Sequence, residues 1–148
     1  MQTDTSIRQS SENFAAVIFD GLQLLIPQSD IYSLEPTVDM RSAIARDGSV
    51  GQIEQSGNIW DLYALSADLN LLKSYPETYR IIILMRNVQP VYGLLCEQIY
   101  TIARNEVSIH PIPAVMNAIN SPLLALALVG EEVSYISSAA ALSHLFPQ

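Results

Sequence analysis

The stretch Arg80 to Arg104, RIIILMRNVQPVYGLLCEQIYTIAR, leaves this chain few folds to choose from. Its runs Ile81 to Met85 and Val91 to Cys96 are each shorter than a typical helix and rich in β-branched and large apolar residues. They are bounded by arginines and by the turn residues Asn87, Val88, Gln89 and Pro90. That pattern predicts two strands buried on both faces, with a third strand after Cys96. Such strands belong at the centre of a small β barrel or sandwich. A chain of 148 residues, 49% hydrophobic and 15% charged, is long and apolar enough to enclose them without disulfide staples.

The flanking sequence supplies the other strands. Residues 1 to 13, MQTDTSIRQSSEN, are polar and lack both the basic start and the apolar centre of a secretory signal, so they read as a flexible tail ahead of a domain over 14–148. From Phe14, the runs AAVIF and LQLLI are split by Asp20-Gly21, a strong hairpin signal, and Pro27 closes the second run. Ser29 to Leu34 continues as an extended segment that ends at Glu35-Pro36, because a residue before proline is pushed out of helical space. Thr37 to Ser49 has no strand period and reads as a long loop with one helical turn. Val50 to Leu72 predicts a strand, a Ser56-Gly57-Asn58 turn, a second strand and a short helix capped by Ser66. Pro113 is placed to open another short helix over Ala114 to Ile119. Near the C-terminus the run Leu123 to Val129, the turn Gly130-Glu131, the strand Glu132 to Ile136 and a helix from Ser138 repeat the earlier order. SADLNLL and SAAALSHL echo each other, which suggests two similar β halves. The expected class is all-β with short helices.

Reactive chemistry is sparse. The seven basic residues are scattered against fifteen acidic ones, for a net charge of -8, so no basic patch recommends a nucleic acid or an anionic membrane as partner. The longest apolar run outside the central stretch falls far short of the ~18 residues that a membrane-spanning helix requires. None of the phosphate-binding, dinucleotide, nucleophile-elbow or zinc motifs occurs. The single cysteine, Cys96, sits among apolar neighbours, reads as a packed strand residue and suits a reducing cytoplasm. His110 lies in a proline-bounded loop and His144 in the terminal helix, so neither is an obvious base for Cys96. Glu131 and Glu132 read as solvated turn residues. Asp61 and Asp68 have no third ligand nearby, which argues against a metal. Trp60 is expected in the core. The profile is that of a binding module, with no catalytic residue, cofactor or metal assigned.

The order of segments resembles the chemotaxis coupling-protein (CheW-like) family. The resemblance rests on the N-terminal hairpin running into Asp30-Ile31-Tyr32-Ser33-Leu34 and on Gly51-x-Ile53-x-x-x-Gly57-x-Ile59-x-x-Leu62 with Asp68-Leu69. It rests also on IIILM followed by Tyr92-Gly93-Leu94-Leu95-Cys96-Glu97-Gln98-Ile99. It covers Phe14 to Phe146 and implies two interlocked five-stranded barrels of SH3-like type around a shared core. It also implies a cytoplasmic, non-enzymatic adaptor that couples the tips of chemoreceptors to the regulatory domain of a histidine kinase, with self-association in arrays. The groove and its rim would then fall on Ile31, Ser33, Ser56, Gly57, Ile99 and Ile102, the isoleucines supplying apolar contact and Gly57 a close backbone approach. Where the family usually has Asn-Leu-Arg-Gly, this chain has Glu54-Gln55-Ser56-Gly57, and the guanidinium that could bond a partner is replaced by Ser56. Besides the adaptor, two readings stand: a regulatory interaction module of the same shape without kinase coupling, and an enzyme built on Cys96 or the histidines.

Overall fold

The computed structural model describes residues 12–41, 48–113 and 121–147. Eleven strands form among them: β1 Phe14–Phe19, β2 Leu22–Pro27, β3 Ile31–Pro36, β4 Gly51–Gln55, β5 Asn58–Tyr63, β6 Ile81–Met85, β7 Tyr92–Cys96, β8 Gln98–Ile102, β9 Val107–His110, β10 Ala125–Val129 and β11 Glu132–Ile136. One short helix, α1, spans Ala139–Ser143. The strands make a six-stranded sheet, β8-β1-β2-β11-β10-β9, and a five-stranded sheet, β3-β6-β7-β5-β4.

Connection lengths force both sheets to curl. The outer strands of the six-stranded sheet, β8 and β9, are joined only by Ala103 and the 3-10 turn Arg104–Glu106. Five residue steps reach about 17 Å at full extension, whereas six flat strands would stand about 24 Å from edge to edge. The sheet therefore closes on itself. In the other sheet, β3 leads through the 3-10 turn Thr37–Asp39 to Arg41, which bridges Gln52 on β4 at the far edge. The two halves match strand for strand: β1-β2 with β6-β7, β10-β11 with β4-β5, and β8 with β3. In each, a hairpin pairs in parallel with the strand it meets, β11 with β2 and β5 with β7. The crossing strands interlock the halves, because β3 leaves β2 for the five-stranded sheet and β8 leaves β7 for the six-stranded one. The duplication legible in the sequence and the expected barrels are both present, with β9 as the sixth strand of one of them.

The runs that anchor the sequence occupy the expected centre. Ile82 to Met85 and Leu94 to Cys96 are fully buried and lie in the larger core cluster with Val17, Leu24, Leu62 and Leu142. A smaller cluster, including Phe14, Leu25, Ile102, Ala127 and Ile136, fills the six-stranded barrel. The aromatic rings of Tyr63 and Phe146 stack at 4.2 Å and seal the C-terminal segment onto the larger core.

One expected element is absent. Ser66 does not open a helix: its Oγ accepts from the Asn70 amide, Leu69 turns into left-handed space at φ 63°, and the chain folds back to bridge Leu65 with Leu71. The echo at Ser138 does open one, with Ser138 Oγ accepting from the Ala141 amide. The residues explain the difference, since Ala139-Ala140-Ala141 favours helix and Asp68-Leu69-Asn70 offers competing local bonds. The helix expected from Pro113 and most of the loop after Asp39 fall outside the described residues. So does most of the N-terminal tail, although Glu12 accepts from Ser29 and the Asn13 carbonyl from the Gln28 amide.

Candidate functional site

The crossing strands leave a groove of about 310 Å³ between the two sheets. It is lined by Ile31 and Leu34 of β3, by Ile99, Tyr100 and Thr101 of β8, and by Ala15 and Gln28. Ile31 and Ile99, placed on the groove by the resemblance, both line it. Both are half-buried and also pack against the larger core, so each offers one flank to the interior and one to the opening. Gln28 Nε2 donates to Thr101 Oγ1 at 3.3 Å, tying the β2–β3 connection to β8. Among the described residues, no carboxylate or basic side chain lines the groove. Its chemistry is that of an apolar slot with amide and hydroxyl groups at the rim.

The other expected residues lie elsewhere, for reasons of strand geometry. Between Ile31 and Ser33 the pairing of β3 with β6 slips by one residue, with Ile31 opposite Met85 and Ser33 opposite Leu84. Such a bulge inverts the alternation beyond it. Leu34, 48% exposed, takes the groove face beside Ile31, while Ser33 turns with Glu35 to the other face and donates its hydroxyl to that carboxylate at 3.0 Å. Ile102 stands three residues after Ile99 on an unbroken strand, so the two face opposite ways. It is 5% exposed and packs in the smaller core cluster, away from the groove.

Ser56 and Gly57 form the β4–β5 hairpin tip, both in left-handed space at φ 52° and 79°, as a two-residue turn with positive φ at each central position demands. They do not line the groove. The Ser56 hydroxyl shares a short hydrogen bond with the Tyr32 hydroxyl, and the Tyr32 ring stacks on Trp60 at 5.4 Å. This contact carries β3 onto the β4–β5 hairpin and completes the curl of the five-stranded sheet. Trp60 is buried, as expected, with its indole N–H donating to the Gln55 carbonyl.

The remaining candidates carry no reactive arrangement. Cys96 is fully buried, and burial first, then Glu97, push its thiol up to about 12, against a weaker opposing backbone hydrogen bond from Gln98. It stays protonated at neutral pH and is a poor nucleophile. His110 is exposed on β9, hydrogen-bonded through Nε2 to Ser108, and His144 is exposed after α1. Asp61 accepts from Gln52. Among the described residues, no three of His, Cys, Asp and Glu cluster as metal ligands, and no helix is long and apolar enough to cross a membrane. Leu34, Tyr100, Thr101, Gln28 and Ala15 were not anticipated as groove residues. A bulge has no period-2 signature, so Leu34 could not be placed from its spacing.

Among solved structures, the chain is similar to the scaffolding protein TtCheW from Thermoanaerobacter tengcongensis. The TM-score is 0.69 at 15% sequence identity, over 90% of this chain and 92% of that one. The chain has the CheW fold. No protein-family model matches it, and no curated protein matches it either. At such low identity the likeness is one of fold.

Proposed function

We propose that this protein is a non-enzymatic adaptor of a bacterial chemosensory array, acting on the cytoplasmic side of the membrane, with an amphipathic helix of a chemoreceptor tip held in the groove between β3 and β8. The observation that carries the reading is the groove itself: an uncharged, largely apolar slot between the barrels of a CheW fold. Helices dock in such slots through apolar residues spaced along one face. Coupling would arise when a second surface of the same molecule holds the regulatory domain of a histidine kinase.

The test is a titration of the purified protein against a receptor-tip helical hairpin and, separately, against the regulatory domain of the kinase encoded nearest to it. Ile31→Asp and Ile99→Asp each place a carboxylate in the slot and are expected to weaken receptor binding at least tenfold while circular dichroism and kinase binding are retained. Saturable binding to neither partner would overturn the reading.

A second reading, a regulatory interaction module without kinase coupling, is favoured by one contact. Ser56 is bonded inward to Tyr32 and presents no cation at the hairpin tip. Ser56→Arg would restore a guanidinium there. If loss of that cation is what uncoupled the protein, this variant binds a conventional kinase or receptor partner more tightly than the parent. An unchanged affinity removes that explanation.

A further inference from the structure

The two strands that wall the groove each begin at a carboxylate that bonds to another segment of the chain. Asp30 immediately precedes β3. Its Oδ2 accepts from the Ala139 amide at 2.9 Å, its Oδ1 from Asn87 Nδ2 at 3.0 Å, and its own carbonyl from the Arg86 amide at 2.8 Å. Asn87 Nδ2 also donates to the Ser29 carbonyl, as does Arg86 Nε. One residue therefore ties the start of β3 to the β6–β7 turn and to the first turn of α1. Glu97, immediately before β8, has the corresponding place in the other half. Its Oε1 accepts from the Asp20 amide at 2.7 Å, and Asp20 Oδ2 accepts from the Ala67 amide at 2.7 Å. Ser66-Ala67 and Ser138-Ala139 are the two members of the sequence echo. The repeated segment thus offers an amide to an aspartate in both halves: Ala139 to Asp30, which immediately precedes β3, and Ala67 to Asp20, whose own amide bonds the Glu97 that immediately precedes β8.

The two junctions are built differently. In one, Asp20 and Glu97 divide the work between two carboxylates. In the other, Asp30 accepts from both partners alone. The far side of Ala139 is fixed as well, because the Tyr92 hydroxyl donates to its carbonyl at 2.8 Å from within the larger core. From these contacts we infer that Asp30 is a positioning residue: it sets the β3 wall of the groove, with Ile31 as its next neighbour, and couples that wall to helix α1. Movement of β3 on docking a partner would be felt at the Ala139 amide, and release of α1 would loosen the wall. The consequence for docking rests on the function proposed above; the coupling of β3 to α1 does not.

The experiment is made on the free protein. Amide hydrogen exchange and Ile methyl spectra are recorded for the parent, Asp30→Ala, Asp30→Asn and Glu97→Gln. Loss of a charge-assisted acceptor is expected to speed exchange of the Ala139 amide roughly tenfold to a hundredfold in Asp30→Ala. The Ile31 methyl resonance should shift, while β10 amides, far along the chain in the other barrel, keep their protection. Asp30→Asn retains an oxygen acceptor for Ala139 and should recover most of that protection, as a merely bulky or generally stabilising residue would not. It also carries the test if Asp30→Ala does not fold, because a neutral amide oxygen is a weaker acceptor than a carboxylate and Ala139 exchange should still rise a few-fold over the parent. Glu97→Gln should move the Ile99 methyl in preference to that of Ile31. The inference is overturned if Ala139 exchange is unchanged in both Asp30 variants. It is overturned equally if all amides accelerate in proportion, with no excess at Ala139 and β3. Failure of every candidate partner to bind would instead sink the adaptor reading and leave these exchange results as they stand.

Discussion

Of the described glycines, Gly93 leaves least room for a side chain, and Gly93→Ala measures how closely the parallel hairpin packs. Gly93 lies mid-way along β7, opposite Leu62 of β5 on one side and Leu84 of β6 on the other. A Cβ there would come within 2.4 Å of Leu62 Cδ2, 3.1 Å of Leu84 Cδ2 and 3.3 Å of Ile82 Cγ2. All three are ends of side chains, but each is fully buried, so they can retreat only by disturbing their own neighbours. Inserting a methyl group into a full core costs ~1–3 kcal/mol. Removing a glycine from the unfolded chain returns about 0.4–1 kcal/mol, which at the middle of both ranges leaves a net loss of about 1.3 kcal/mol. With a urea slope of roughly 2 kcal/mol/M, the unfolding midpoint should fall by about 0.5–1 M. The diagnostic experiment is the pair with Leu62→Ala. Alone that change opens a cavity and costs ~2–5 kcal/mol, but in the Gly93→Ala background it should cost less, with a coupling of roughly 0.5–3 kcal/mol. A neutral Gly93→Ala, or strict additivity with Leu62→Ala, would refute the claim that the Leu62 methyl occupies the space above the glycine.

Three further outcomes are expected. Phe146→Ala removes a ring stacked on Tyr63 at 4.2 Å and tilted against Tyr92 at 4.8 Å, and should cost ~3–5 kcal/mol by chemical denaturation. Cys96 and Tyr79 are both pushed up to about 12 chiefly by burial, and Tyr92 is raised further, from ordinary values of 9.0 for the thiol and 10.0 for the phenols. These groups ionise more easily unfolded than folded, so their contribution is fully present below pH 9 and is lost as pH rises from there through about 12; urea midpoints should fall steadily from pH 9 to 11, and a flat profile would contradict it. Leu34→Asp should weaken receptor-tip binding at least tenfold and Ser33→Asp much less, since the bulge in β3 gives the groove to Leu34; equal effects in a titration would place the bulge wrongly.

The sequence discloses most where period and burial agree. Ile81 to Met85 and Val91 to Cys96 could be read as central strands because a strand buried on both faces needs no alternation to be recognised, and both lie at the heart of the larger core. Asp20-Gly21 named its hairpin because both residues adopt positive φ, at 50° and 79°, and few residue pairs do so readily. The reading failed where a side chain competed with a propensity. Ser66 is a good helix cap by type, yet Asp68-Leu69-Asn70 gives it a tight turn to close in place of a helix.

The groove was half legible for a related reason. Ile31 and Ile99 were found through the resemblance, and both line the groove because β3 and β8 cross between sheets at equivalent points of a duplicated chain. What decides the rest of the lining is the phase of each strand. On β8 the phase is regular, so Ile99 and Ile102 oppose each other, and placing both on the slot conflicts with the strand period. On β3 a single extra residue reverses the phase and exchanges Ser33 for Leu34. That exchange changes the chemistry on offer, since a hydroxyl already bonded to Glu35 gives way to a half-exposed leucine in the same groove as Ile99. An apolar partner surface follows from the bulge as much as from any residue type, and the bulge lies two residues from Asp30, which fixes where the strand begins.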